Sequence, residues 1–257
     1  MHPIELSTKV IDSGVIDQAL NRVTNELSEL APDLAIVESF SHSVAWDSGD
    51  GVVCFDASGV GSGGAVVQSI RGWRSHPINT LVYTHGHADH VGGSAAFAAD
   101  ATARGHLRPH VIGHEKVRAR LDRYTATSDW NLIINQRQFG GISSDMGLHI
   151  GAAAQSFLPH DTLRPDEVFQ TMHCFTAGNT AVELHHARGE TDDHLWAWFP
   201  EKKWLFSGDF VIWNFPNAGN PQKVQRYALE WAQALRRMIA QGPELLVPAH
   251  GLPIEGK

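Results

Sequence analysis

Between residues 85 and 90 the chain places four side chains that can each ligate a cation. His85, His87, Asp89 and His90 crowd into the run Thr84-His85-Gly86-His87-Ala88-Asp89-His90. The run follows Leu81-Val82-Tyr83-Thr84, a short apolar stretch that predicts a buried strand. Alternate side chains on a strand share a face, so His85 and His87 can address one ion. Asp89 and His90 come where the chain turns through Val91-Gly92-Gly93 towards a helix, and they can address a second. Imidazole and carboxylate at this density suit a metal far better than they suit a solvated loop.

One loop does not complete a metal site, and three further side chains stand where strands end. His250 closes Leu245-Leu246-Val247-Pro248-Ala249-His250, and Asp209 follows Trp204-Leu205-Phe206-Ser207-Gly208. Glu190 sits in Gly189-Glu190-Thr191, just after an alternating stretch. His185, His186 and His194 are the alternatives to Glu190. His194, in the run Asp192-Asp193-His194, also suits proton transfer or the support of a ligand. Loops gathered at strand exits on a rigid scaffold are where binding residues concentrate.

Around these residues, strand and helix patterns alternate, as in sheets covered by helices. Val52-Val53-Cys54-Phe55-Asp56 and Trp204-Leu205-Phe206-Ser207-Gly208-Asp209 echo one another as apolar runs ending in an aspartate. Two strands are predicted within His173 to His186, about an Ala177-Gly178-Asn179 turn. Helices are predicted over Gly64 to Trp73, over Ser94 to Arg104 and over Val224 to Ile239. The last sets Leu229, Ala232, Leu235 and Met238 along one stripe. Residues 124–165 break this rhythm and fit an insertion, either a lid near the site or a plain surface excursion. No linker divides the chain, so a single domain over 1–257 is expected.

Composition narrows the function. A formal net charge of −8 argues against nucleic acid or an anionic membrane as partner. No apolar run approaches the roughly 20 residues of a membrane helix, and the first residues lack the pattern of a signal peptide, so a cytoplasmic protein is expected. Cys54 and Cys174 read as buried thiols within strands.

The order His-x-His-x-Asp-His, then Gly-x-Thr, then Phe-Ser-Gly-Asp, then Pro-x-His-Gly resembles the metallo-β-lactamase superfamily, in register from about Ile36 to Ile254. The resemblance implies an α/β fold, a four-layer αββα sandwich of two similar halves, with two zinc ions at one edge. It assigns His85, His87 and residue 190 to one ion, Asp89, His90 and His250 to the other, and Asp209 to both. Asp56 matches the aspartate that supports the ligand loop without binding metal. Most hydrolases of the superfamily carry histidine where this chain has Glu190; its alkylsulfatases carry glutamate. The stretch from Asn217 to Tyr227, followed by Trp231, is also similar to that branch. In contrast, linear alkylsulfatases have glutamate where Asp209 stands, and they carry further domains.

The resemblance thus implies a metal-dependent hydrolase of a small-molecule ester, a sulfate ester before all, acting through a metal-bound hydroxide that Asp89 orients. Lactone, thioester, aryl ester, β-lactam and phosphodiester hydrolysis are the alternatives, and a non-catalytic metal-binding module is a further one. Three carboxylates facing two divalent ions leave about one positive charge, against about two with a histidine at 190, which lets manganese or iron replace zinc. Asn220, Lys223 and Arg226 are the candidate groups for the anionic end of a substrate, with Asn214 and Asn217 nearby in sequence; Lys223 and Arg226 equally suit the exposed start of a helix. Trp130, Trp213 and Trp231 suit either an apolar wall or the core. A monomer or a homodimer is expected.

Overall fold

The computed structural model describes residues 1–138, 156–214 and 226–256. Seven strands form the first sheet in sequence order: β1 (Glu26–Ala31), β2 (Leu34–Glu38), β3 (Ser43–Asp47), β4 (Val52–Phe55), β5 (Ile78–Val82), β6 (His110–His114) and β7 (Glu167–Phe169). The pairing is antiparallel up to β4 and parallel from β4 to β7. A second sheet is built from β8 (Met172–Ala177), β9 (Thr180–His186), β10 (Leu195–Phe199), β11 (Trp204–Ile212), β12 (Leu245–His250) and β13 (Ile254–Glu255). It is ordered β13-β12-β11-β10-β9-β8, with β11 and β12 parallel.

Helix α1 (Pro3–Ser13) precedes the first strand, and helices fill the parallel crossovers: α2 (Gly63–Trp73), α3 (Ala88–Val91), α4 (Ser94–Ala103), α5 (Lys116–Ala126), α6 (Ser128–Gln138) and α7 (Ala228–Ala240). The inner strands β2, β4 and β10 read as nearly continuous apolar runs because both of their faces are covered. From β2, Leu34 and Ile36 point between the sheets while Val37 joins the layer under α2, α4 and α5. From β10, Leu195, Ala197 and Phe199 point between the sheets while Trp196 and Trp198 face α7. Four layers result, helix–sheet–sheet–helix, as the resemblance implied. Phe199 sits at the centre, with ring centroids 5.1 Å from Trp46, 5.9 Å from Phe55 and 4.9 Å from Phe206. Truncating such a ring costs about 3–5 kcal/mol.

The expected hairpin between His173 and His186 forms as β8 and β9. Two expectations are corrected. Cys174 is exposed, because β8 is the edge strand of its sheet and one of its faces meets water. Leu229 is 67% exposed, so it lies off the buried stripe of α7, which carries Trp231, Ala234 and Met238. That stripe is turned relative to the foreseen one because Trp231 packs edge-on against Phe210 and donates its indole hydrogen to the Phe210 carbonyl at 2.8 Å. Of the region 124–165 foreseen as an insertion, the end of α5, α6 and the stretch from residue 156 are described, and the remainder lies outside the described residues.

Candidate metal centre

The ligand-bearing segments meet at one edge of the sandwich. The chain leaves β5 through Tyr83 and Thr84 and presents His85 and His87, then Asp89 and His90 on the short α3. The loop from β9 to β10 brings Glu190, β11 brings Asp209, and the end of β12 brings His250. Asp56, one residue past β4, secures this edge. Its carboxylate accepts the Thr84 amide hydrogen at 2.8 Å and the Thr84 hydroxyl at 2.7 Å, and lies 2.8 Å from His90 Nδ1. With Nδ1 engaged there, Nε2 of His90 is turned to the centre.

Seven side chains converge in two groups. His85, His87, Glu190 and Asp209 form one; Asp89, His90 and His250 form the other. In the first, Glu190 Oε2 lies 3.5 Å from both His85 Nε2 and His87 Nδ1, and Asp209 Oδ2 lies 3.9 Å from His85 Nε2. In the second, Asp89 Oδ2 is 3.6 Å from His90 Nε2 and 3.3 Å from His250 Nε2. The other oxygen of Asp209, Oδ1, stands 3.4 Å from His90 Nε2 and 3.5 Å from His250 Nε2, so Asp209 faces both groups.

These residues fit a pair of divalent ions. Ligand bonds of about 2.0–2.1 Å at tetrahedral angles set neighbouring donor atoms roughly 3.3 Å apart, longer than most hydrogen bonds and close to the separations here. Moreover, His85 Nε2, His90 Nε2, Glu190 Oε2 and Asp209 Oδ1 are buried without hydrogen-bond partners. Buried polar atoms left so are costly unless a further group satisfies them. Electrostatics point the same way. Burial pushes the Asp209 carboxyl above the usual carboxylate range, with Glu190 adding to the rise against His250 and His90. Glu190 is held well below that range despite its burial, by His87 and Arg226. Burial drives His85 well below the usual imidazole value, helped by His90 and His194, which leaves a neutral nitrogen for a cation.

Glu190, not His185 or His186, is the side chain brought to the first group. His185 stacks on Trp196 and bonds to Glu183, and His186 stacks on His114. His194 is fully buried beside His85 and Phe210, and its Nε2 accepts the Asp209 amide hydrogen at 3.1 Å. Arg226 is engaged with Glu190, pairing with its Oε1 and donating to its main-chain oxygen at 2.9 Å. Asn217, Asn220 and Lys223 lie outside the described residues. Trp231 belongs to the core, Trp213 donates to the Leu252 carbonyl, and Trp130 is 51% exposed.

Two residues at this edge escaped the sequence patterns. Asp193, fully buried, accepts the Gly86 amide hydrogen at 3.0 Å and the Arg120 Nε hydrogen at 2.8 Å. In sequence, Arg120 reads as one more charge on a solvated helix; only its wholly buried partner distinguishes it.

A family profile described as the metallo-beta-lactamase superfamily matches residues 38–250. A linear primary-alkylsulfatase from Pseudomonas sp. is 26% identical over 203 residues, taking in 75% of this chain and 38% of that protein. The chain therefore spans well under half the length of this curated relative. Among solved structures, a stereoselective inverting sec-alkylsulfatase from Pseudomonas sp. matches with a TM-score of 0.68 at 20% identity, over 90% of this chain and 39% of that one. A metallo-beta-lactamase from Pontibacter korlensis matches with a TM-score of 0.60 at 19% identity, over 90% of this chain and 93% of that one.

Proposed function

We propose that this chain, which belongs to the metallo-beta-lactamase superfamily, is a hydrolase that cleaves sulfate esters at a two-metal centre. The observation that carries the proposal is the convergence of two ligand groups on Asp209, with Glu190 in the first of them. The substrate class is favoured by the glutamate at 190 and by the 26% identity to a linear primary-alkylsulfatase.

In this scheme His85, His87 and Glu190 would hold one ion and Asp89, His90 and His250 the other, with Asp209 available to both. Zinc suits the mixture of imidazole and carboxylate, and manganese or iron is compatible with three carboxylates. Bound there, the ions would supply an activated water and charge stabilisation for the departing oxygen. The chain's own residues set the geometry for that chemistry. Asp56 fixes the ring of His90, and His194 holds the Asp209 backbone in place through its amide. Asp89, about a third exposed at its side chain, stands at the open side of the second group, where its carboxylate can also orient water towards a substrate. Phe40, 43% exposed and edge-on to His250 at 5.3 Å, offers an apolar surface beside the same group.

The test is sulfate release, followed by ion chromatography, from metal-loaded protein given primary, secondary and aryl sulfate esters. Release above a chelated control is expected. Metal-loaded protein that frees no sulfate would overturn the substrate class and move the search to lactones, thioesters and β-lactams.

A further inference from the structure

The carboxylate of Asp193 joins two loops that approach the first ligand group from opposite sheets. It lies on the β9–β10 loop, three residues beyond Glu190, and its Oδ2 accepts the amide hydrogen of Gly86, between His85 and His87. The same oxygen accepts from Arg120 Nε on α5, while Arg120 Nη2 donates to Asp192 at 2.7 Å. Asp193 is 0% exposed and the Arg120 side chain 9%, so each is the buried counter-charge of the other. A buried charge is retained at such a place only when it is paired and hydrogen-bonded.

The fit is close. A Cβ added at Gly86 would stand 2.9 Å from both Asp193 Oδ2 and Arg120 Cδ. The glycine of the His-Gly-His run thus lets the loop backbone lie against the brace beneath it, and any side chain there would have to displace the Asp193 carboxylate or the Arg120 stem. The angle between the His85 and His87 rings depends on the peptides flanking Gly86, and one of those peptides is held by the loop that presents Glu190.

We propose that Asp193, with Arg120 as its counter-charge, is a positioning residue that sets His85 and His87 against Glu190 and so determines the affinity of the first ligand group for its ion. The proposal rests on the two-metal reading above. It distinguishes the two groups, since Asp193 braces Gly86, which lies between two ligands of the first group, and not the segments carrying Asp89, His90 and His250.

The experiment is a competition between the protein and a chromophoric zinc chelator, with ions counted per chain, for wild type, D193N and D193A. Circular dichroism and thermal melting of the metal-free proteins report folding. Wild type is expected to bind two ions. D193A should bind one of them about 10–100-fold more weakly, the usual penalty for removing a group that orients a ligand, with the other unchanged. D193N should stay within several-fold of wild type, because its amide oxygen can accept both hydrogen bonds. If D193A does not fold, the pair R120L/D193A, which leaves no single buried charge, takes its place. Two ions bound with wild-type affinity by D193A or by the pair would overturn the proposal. So would an equal weakening of both ions, or a pair that fails to fold, since either marks a merely structural role. A wild-type protein that binds no ion would instead overturn the two-metal reading.

Discussion

Arg226 meets Glu190 twice, pairing its guanidinium with Oε1 and donating to the main-chain oxygen of the same residue, so that Oε2 alone is turned to His85 and His87. The side chains of both are largely buried, at 13% and 15% exposure. Glu190 brings a negative charge that a histidine would not, and Arg226 offsets it. Replacing Arg226 by glutamine should destabilise the metal-free protein by roughly 3–5 kcal/mol, the scale of a truncated buried ion pair. With zinc bound the loss should be smaller, because the cations take up the charge of Glu190. Urea unfolding with zinc and with chelator measures both; an equal loss in the two states would contradict the charge balance.

Asp56 serves three donors from a left-handed backbone conformation, φ 60°. Asp56→Ala leaves the Thr84 amide, the Thr84 hydroxyl and His90 Nδ1 without their acceptor. Each unsatisfied buried group costs about 1–3 kcal/mol, so a loss of roughly 3–5 kcal/mol is expected in denaturant unfolding. A loss below about 1 kcal/mol would show that the Thr84 loop does not depend on this carboxylate.

Gly208 takes a φ of 53° within β11, one residue before Asp209, and a Cβ there would lie 2.8 Å from Thr84 Cβ and from His194 Nε2. Gly208→Ala therefore combines backbone strain with a steric clash against the ligand loop. A destabilisation of about 2–4 kcal/mol is expected, together with weakened metal retention, since Asp209 must move. Chelator competition alongside thermal melting would detect both, and an unperturbed variant would contradict the packing at this corner.

His42 makes stability depend on pH. It is fully buried, its Nδ1 accepts the Ser39 amide hydrogen, and its Nε2 donates to the Gly251 carbonyl at 2.8 Å, an arrangement that requires the neutral ring. Burial, followed by the nearby His250, pushes its pKa down to about 3. The unfolded chain takes up this proton near pH 6.5. The contribution to stability is thus fully present above that pH and is lost as the pH falls towards 3, at up to about 1.4 kcal/mol per pH unit. A His42→Gln variant, unable to titrate, should show a shallower fall in urea midpoint between pH 6 and pH 4 than wild type. Parallel curves would refute this.

Asp89 is a ligand-capable carboxylate of the second group whose side chain is about a third exposed, at 30%. Asp89→Ala should lower sulfate-ester turnover by about two orders of magnitude or more, with the fold retained and the first group still loaded. Full activity in that variant would exclude Asp89 from the reaction.

The ligand constellation was legible in the sequence because each donor follows an apolar run that ends at the same edge of a sheet. His85 to His90 lie just past the end of β5 and His250 ends β12, whereas Asp209 sits inside β11, which continues past the expected strand end to Ile212 after an irregularity beyond Phe206. The layered fold was legible for a related reason: unbroken apolar strands such as β4 and β10 require cover on both faces. What a linear chain leaves open is which of several similar groups becomes buried beside which. His185, His186 and His194 compete with Glu190 on paper, and only the twist of β9 into its loop decides among them. Arg120 and Arg226 look like solvated charges until the fold sets each against a buried carboxylate from a distant loop. Cys174 and Leu229 show the converse, apolar by type yet turned outward by an edge strand and by the pitch of α7. Residue type and local spacing determine what chemistry a segment can perform. The pairing of Asp193 with Gly86, 107 residues away, depends on packing that no local pattern encodes.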